Sequence, residues 1–432
     1  MKIFFVFILL CISAACYSQE LHEYVATRYD TATIKGYYFL TANNALTVLD
    51  KDANTVYYKP GKALFDFTLE TDGNMIFTNV DKSYIMDSTF RIIDSFACGN
   101  GVKFDPHDKW LLPNGNILLL GSEIVNMDIS HYHNKNKSKI NDTANFTFPV
   151  IQEQDKHHRI IFEWHGKGQF DVSYGDSLIY NNDIHSNAIT QDGDGNIILS
   201  SRNISEITKI NRKDGTIIWR FGGKHNQFKF INCPVPFSEQ HNIRRLANGN
   251  YTLFDNGSGA TPHCARAMEF HLDEKKNKTA TLVWSYETDI TSTGRGSVQR
   301  LTDGNTLINF GKQAGNTVVF LLVNHSGAKV LKVNGYHTDR VIYYPELPFQ
   351  LHQPEINCSD SAGVKYLDAG AGYTSYKWST GETTRKIMIT HPDTYSVFVL
   401  YGEGGYINSE ELIVTDISQP CKLKTSSNSK NN

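Results

Sequence analysis

"HSNAITQDGDGNIILSSR", residues 185–202, joins two short apolar runs through the turn-forming "DGDGN". Asp-Gly and Asn-Gly steps flanked by β-forming residues are the strongest short-range hairpin signal, because they accommodate the positive φ of tight turns. Folded about Gly193–Asp194, the stretch predicts His185 across from Arg202 and Asn187 across from Ser200. One hairpin would then present an imidazole, a primary amide and a guanidinium on one face.

The turn is one copy of a repeat. "DGNMIF" begins at 72, "NGNILLL" at 114, "DGNIILS" at 194, "NGNYTLF" at 248 and "DGNTLIN" at 303, in steps of 42, 80, 54 and 55 residues. A second phrase follows most copies: "RIIFEW" at 159, "GTIIWRFGG" at 215 and "ATLVWSYE" at 280. Units of this length built only of strands predict an all-β fold, a six-bladed β-propeller over residues 20–350. The 80-residue step leaves room for a further unit with a poor turn signal. Residues 127–145 are polar and aperiodic and predict an insertion, in which His131 and His133 read as solvated loop residues more readily than as metal ligands.

Composition agrees with this class. Of 432 residues, 32 are Gly, 22 Tyr and 24 Phe, and Val, Ile and Thr recur in short runs, which favours strands. Lys plus Arg total 42 against 45 Asp plus Glu, with no dominating basic run, which argues against a nucleic-acid partner. "MKIFFVFILLCISAACYSQE" pairs one Lys with a short apolar run and small residues, predicting a signal peptide over 1–19 and no membrane span. A lipoprotein signal needs a branched apolar residue three places before Cys16, where Ser13 stands. The mature chain is expected to be exported, to the periplasm or the cell surface, and to fold in an oxidising space.

Five cysteines lie beyond the leader. No pair has the C-x-x-C spacing of a zinc site. Cys358 with Cys421 and Cys233 with Cys264 are plausible disulfides, leaving Cys98 over. After "YHTDRVIYYPELP" the repeat stops, and residues 355–418, with a lone Trp378 and alternating strands, predict a small immunoglobulin-like β-sandwich module. The tail 419–432 reads as disordered.

Aligning the repeats on their turns brings histidines into register. His107 and His241 stand eight residues before the turn glycine of their units, and His185 ten before, in a turn two residues longer. Phe65 and Gly296 hold the matching places elsewhere. The chain has 16 histidines in 432 residues, so three at one repeat position call for a cause. A propeller turns equivalent positions of all blades toward one axis, so these imidazoles would converge with Asn187 and Arg202. Asp108 and Asp183 lie nearby, but neither is expected on a histidine's strand face. A donor-rich, carboxylate-poor cluster suits a tetrahedral anion such as a sulfate or phosphate ester. The guanidinium argues against a bound metal, and none is predicted.

"DIHSNAITQDGDGNIILSSRNISEITKINRKDGTIIWRFGG", "FSEQHNIRRLANGNYTLFDNG" and the earlier "FDPHDKWLLPNGNILLLG" and "FEWHGKGQFDV" together resemble the bacterial aryl sulfate sulfotransferases, over roughly residues 90–345. The resemblance implies a six-bladed propeller that moves a sulfuryl group from an aryl sulfate donor to a phenolic acceptor, with no cofactor and no nucleotide donor. It implies that His241 is the nucleophile, forming a sulfohistidine. His107, His185, Asn187 and Arg202 would hold the sulfuryl oxygens, one of the two histidines would serve as acid and base, and Asn256 of "LFDNG" would contact substrate. The sequence departs from the family's best-known members, which carry an N-terminal β-sandwich and a close disulfide before the "QH" histidine. That departure leaves acceptor choice and a homodimer unsettled. Two other readings use the same residues: a sulfate or phosphate ester hydrolase with water as acceptor, and a non-catalytic binding propeller.

Overall fold

The computed structural model describes residues 24–30, 34–42, 44–130, 143–174, 177–258, 264–313 and 317–418. The predicted leader, the tail 419–432, Cys421 and the pair His131 and His133 lie outside the described residues. The chain is all-β, with one three-residue helical turn at Tyr180–Asn182 among the described residues.

The "DGN" phrases build nearly identical turns. The Oδ1 of Asp72, Asn114, Asp194, Asn248 and Asp303 each accepts the backbone N–H two residues on, at 2.9–3.1 Å. The intervening glycines hold φ between +82° and +90°, a region costly for any residue with a Cβ. Each turn therefore ends one strand and starts the next at a fixed register.

Five sheets carry these turns, antiparallel throughout except where Lys229–Ile231 pairs in parallel with Thr279–Glu287 at the edge of the fourth. The first begins with Leu64–Leu69, the second with Lys103–Leu111, the third with Ser186–Gln191, the fourth with His241–Arg245 and the fifth with Ser297–Arg300. The sixth sheet joins the two ends of the repeat region: Thr338–Tyr344 pairs with Tyr37–Ala42, which continues through Ala45–Leu49 to Thr55–Pro60. Starting strands of neighbouring sheets touch in sequence, and Thr338–Tyr344 returns to Leu64–Leu69. An apolar layer fills the space between every neighbouring pair, including the pair that closes the ring. The layer between third and fourth sheets holds Trp219, Phe221 and Phe270, all at most 1% exposed. Burial of such aromatic area is the main favourable contribution to this fold.

Two expectations are corrected. Among the described residues the 80-residue step holds no further unit: the second sheet's Ile117–Asp128 and Thr143–Gln154 form a long hairpin, in register from Ile117↔Gln154 to Asp128↔Thr143. The opening hairpin is not regular either. His185 does lie across from Arg202, whose N–H donates to the His185 carbonyl at 2.9 Å. Ser200, however, pairs with Ala188, because a bulge between Ser186 and Ala188 displaces Asn187 from the ladder.

Residues beyond 350 surround their own core of Leu367, Trp378, Tyr395, Val399 and Ile407. This segment shares a sheet with the ring: Gly405–Asn408 pairs with Thr55–Pro60, matching Tyr406 with Tyr58 and Ile407 with Tyr57. Cys233 and Cys264 are free thiols, so the expected bridge between them is absent. Among the described residues no helix is long and apolar enough to cross a membrane.

Candidate active site

Each starting strand runs from a histidine end to a turn end, so aligned positions meet at one end of the ring. A small cavity there is lined by Phe65, His107, Asn187, His241 and Gly296, together with Asp339 and Arg340. Four of these are the register-matched residues, drawn from four different sheets. The His185 ring stands edge-on to that of His107, centroids 4.8 Å apart.

His241 is buried, at 6% exposure. Its Nδ1 lies 2.6 Å from Asn256 Oδ1, and Asn256 Nδ2 donates to Ser292 Oγ at 2.9 Å and to the Arg295 carbonyl at 3.1 Å. A carbonyl only accepts, so the Asn256 amide has one orientation and its Oδ1 faces the imidazole. Nδ1 therefore carries the proton. At the other side Nε2 accepts the Arg295 N–H at 3.1 Å, which requires a lone pair there. Burial pushes His241 well below the ordinary histidine range; the Asn256 bond opposes this, while His185, Arg202 and His107 add to it. The result is a neutral imidazole of fixed tautomer with Nε2 as its nucleophilic atom.

His107 differs. Burial disfavours its charge, but the Asp105 carboxylate, 2.6 Å from Nδ1, outweighs that and raises its pKa above the ordinary value. The same pairing holds Asp105 below the usual carboxylate range against its own burial. His185 Nδ1 lies 3.2 Å from Asp183 Oδ2, and Asp183 Oδ1 accepts the His185 N–H at 2.8 Å. The expected scarcity of carboxylates is thus wrong. Asp105 and Asp183 bond to the histidines two residues later, the spacing that a strand's period of two puts on one face. "D-x-H" at 105–107 and 183–185 was the available signal.

Arg202 is held by Glu239 Oε2, which also accepts from Ser258 Oγ at 2.8 Å. The guanidinium further donates to Asn203 Oδ1 at 2.7 Å and the Thr293 carbonyl at 3.1 Å. Glu239, Arg295 and Asp339 were not singled out from sequence. Burial raises the Asp339 carboxyl, with Arg295 and His107 partly opposing. Asn187 donates from Nδ2 to the Gln240 carbonyl at 2.8 Å, and its buried Oδ1 has no partner among the described residues. Asn256, expected against substrate, has its amide engaged with His241, Ser292 and Arg295. Backbone strain gathers here: His185, Glu239, Asn242 and Arg295 all hold φ between +52° and +64°.

The Arylsulfotransferase (ASST) family model matches residues 23–338, which take in the five repeat sheets and His107, Asn187, Arg202, His241 and Asn256 of this site. The chain belongs to the arylsulfotransferase family. Membership supports an aryl sulfotransferase activity in general and small-molecule substrates with it. No curated protein matches the chain. Among solved structures, the arylsulfotransferase chain is similar to a protein of unknown function from Bacteroides caccae, at 12% identity and TM-score 0.48, covering 72% of this chain and 100% of that one. It is also similar to virginiamycin B lyase from Staphylococcus aureus, at 13% identity and TM-score 0.33, covering 73% and 99%. A luciferin-regenerating enzyme matches at 10% identity and TM-score 0.40, covering 76% and 100%.

Proposed function

We propose that the protein is an exported sulfotransferase that moves a sulfuryl group from an aryl sulfate to a phenol through a sulfohistidine at His241. The ring of six sheets is read as a six-bladed β-propeller whose axis carries the site, and the segment beyond residue 350 as an immunoglobulin-like module. The supporting observation is the fixed tautomer of His241, which leaves an unprotonated Nε2 in a buried pocket.

In the first step the Nε2 lone pair attacks sulfur, taking the place of the Arg295 N–H, and the S–O bond to the aryl group breaks. The leaving phenolate takes a proton from His107, whose pKa Asp105 raises above the ordinary histidine value. Asn256 Oδ1, bound to Nδ1–H, steadies the positive charge on the sulfated imidazole. In the second step the acceptor phenol gives its proton to neutral His107. Its oxygen attacks sulfur, the S–N bond breaks, and His241 returns to its resting form.

Arg202 and His185 would bind the sulfuryl oxygens once Glu239 releases the guanidinium. Asn187 offers an unpartnered carbonyl oxygen, which can only accept and so cannot bond the sulfuryl oxygens, and its Nδ2 holds the Gln240 carbonyl beside His241 as a positioning contact. Asn256 is a positioning residue.

The test is transfer from an aryl sulfate to a phenol, following phenol release from the donor. The expected pattern is ping-pong kinetics with a burst of released phenol before acceptor is added. Free sulfate released at the same rate without any phenol would favour the hydrolase instead.

A further inference from the structure

The turn end of the ring holds a second, larger cavity, of about 330 Å³, which the reaction above does not use. That volume lies within the range of small-ligand pockets, about 300–1,000 Å³. Its charged wall consists of Lys109, Arg244, Arg245, Arg300 and Arg340, against the single carboxylate Glu70.

The acids that pair with these cations stand behind the wall. Lys109 Nζ reaches Asp66 at 2.5 Å, Arg340 Nη1 reaches Asp66 and Asp108 at 3.0 and 2.9 Å, and Arg244 Nη2 reaches Asp108 at 2.8 Å. Arg245 pairs with Asp192 and Arg300 with Glu269, both at 2.8 Å. None of those four acids lines the cavity. A molecule inside meets the cations first. Burial also raises the Glu70 carboxyl toward its neutral form, with Lys109 opposing.

The remaining wall combines the polar side chains of Thr68, Asn242, Thr252, Ser297 and Gln299 with an apolar and aromatic part. Trp110 carries the Arg244 guanidinium over its ring at 5.4 Å, and Tyr344, Leu69, Val298 and Ile342 also line the cavity. An inorganic oxyanion would leave this area unused, and a cation would meet five like charges. We propose that this cavity is a binding site for a small aromatic monoanion, of the aryl carboxylate or aryl sulfonate class, with its ring against Trp110 and its acid group toward Arg244 and Arg300. Arg340 and Asn242 line both this cavity and the histidine-end cavity, so an occupant touches residues shared with the site.

The probe is a bromonaphthoate, an aryl carboxylate that has no sulfuryl group to transfer and therefore reports binding whatever the reaction proves to be. Calorimetry on the full chain is expected to show one site with a Kd of about 10⁻⁴ M. Trp110→Leu and Arg300→Gln are expected to weaken it about tenfold or more, while Arg202→Gln at the histidine end leaves it unchanged. A crystal of the unaltered protein soaked in the same probe keeps the test independent of whether the variants fold, and the bromine anomalous peak is expected between Trp110 and Arg300. A peak only at the histidine end, or no binding at millimolar probe, overturns the proposal. So does inorganic sulfate binding this cavity as tightly as the naphthoate, since the aromatic wall would then contribute nothing.

Discussion

The two ends of the inner strands are built on opposite principles. At the turn end, five copies of one Asx-bonded turn repeat with nearly the same glycine φ, and the wall cations are paired with acids behind them. At the histidine end the ladders are interrupted by bulges between Ser186 and Ala188 and between His241 and Arg244. There, non-glycine residues occupy left-handed backbone, and Asn187 Oδ1 goes without a partner among the described residues. Regularity fixes where the sheets stand; departures from it aim side chains at a common point. A repeat protein can thus hold its fold in one end of each unit and its chemistry in the other.

This contrast can be broken most severely at His241. Replacing Asn256 by Leu should remove the group that selects the nucleophilic tautomer, lowering kcat by about 10²-fold or more while the melting temperature moves little by comparison. A full-activity Asn256→Leu enzyme would show that the tautomer is set elsewhere. Next in size is the pH response. His107 owes its raised pKa to Asp105, so in Asp105→Asn burial dominates and the alkaline limb of kcat/KM should shift to lower pH. The same pair contributes stability fully between the ordinary values of 3.8 and 6.5. That contribution fades as pH rises through the folded His107 value or falls through the folded Asp105 value. Thermal melts across pH should therefore separate wild type and variant most within that window.

A smaller effect sharpens the role of Arg202. Glu239→Gln removes the internal carboxylate that occupies the guanidinium, so KM for an anionic donor should fall a few-fold, and free sulfate should inhibit more strongly. An unchanged KM would mean that Arg202 does not receive the sulfuryl group. The smallest effect belongs to the turn end. Gly304 holds φ +87° with open space around its would-be Cβ, so Gly304→Ala should lower stability by about 1 kcal/mol through backbone strain alone. Activity should stay at the wild-type level, and a loss of kcat would contradict the division between the ends.

The turn end was legible in the sequence because Asp-Gly and Asn-Gly carry their conformation locally. The same turns supplied the alignment that placed His107, His185 and His241 at one level, and the structure brings Phe65 and Gly296 beside them at the matching places. What was not legible depended on irregular backbone or distant chain. The bulge at Asn187 has no local signal strong enough to displace a regular register. Glu239 reaches Arg202 across sheets, and the Arg295 N–H meets His241 Nε2 from 54 residues away. The sixth sheet combines strands from both ends of the repeat, Tyr37–Ala42 with Thr338–Tyr344, where no shared turn phrase links them. Only the acids two residues before His107 and His185 were within reach of sequence reasoning, as a recurring pair rather than as isolated charges.

The most direct test of the covalent route is intact-mass measurement after brief mixing with an aryl sulfate donor and no acceptor. The account predicts one added sulfuryl group on the unaltered protein, discharged on addition of a phenol and never formed by His241→Ala. An adduct that persists in His241→Ala, or phenol release from donor with no protein adduct at any time, would contradict it.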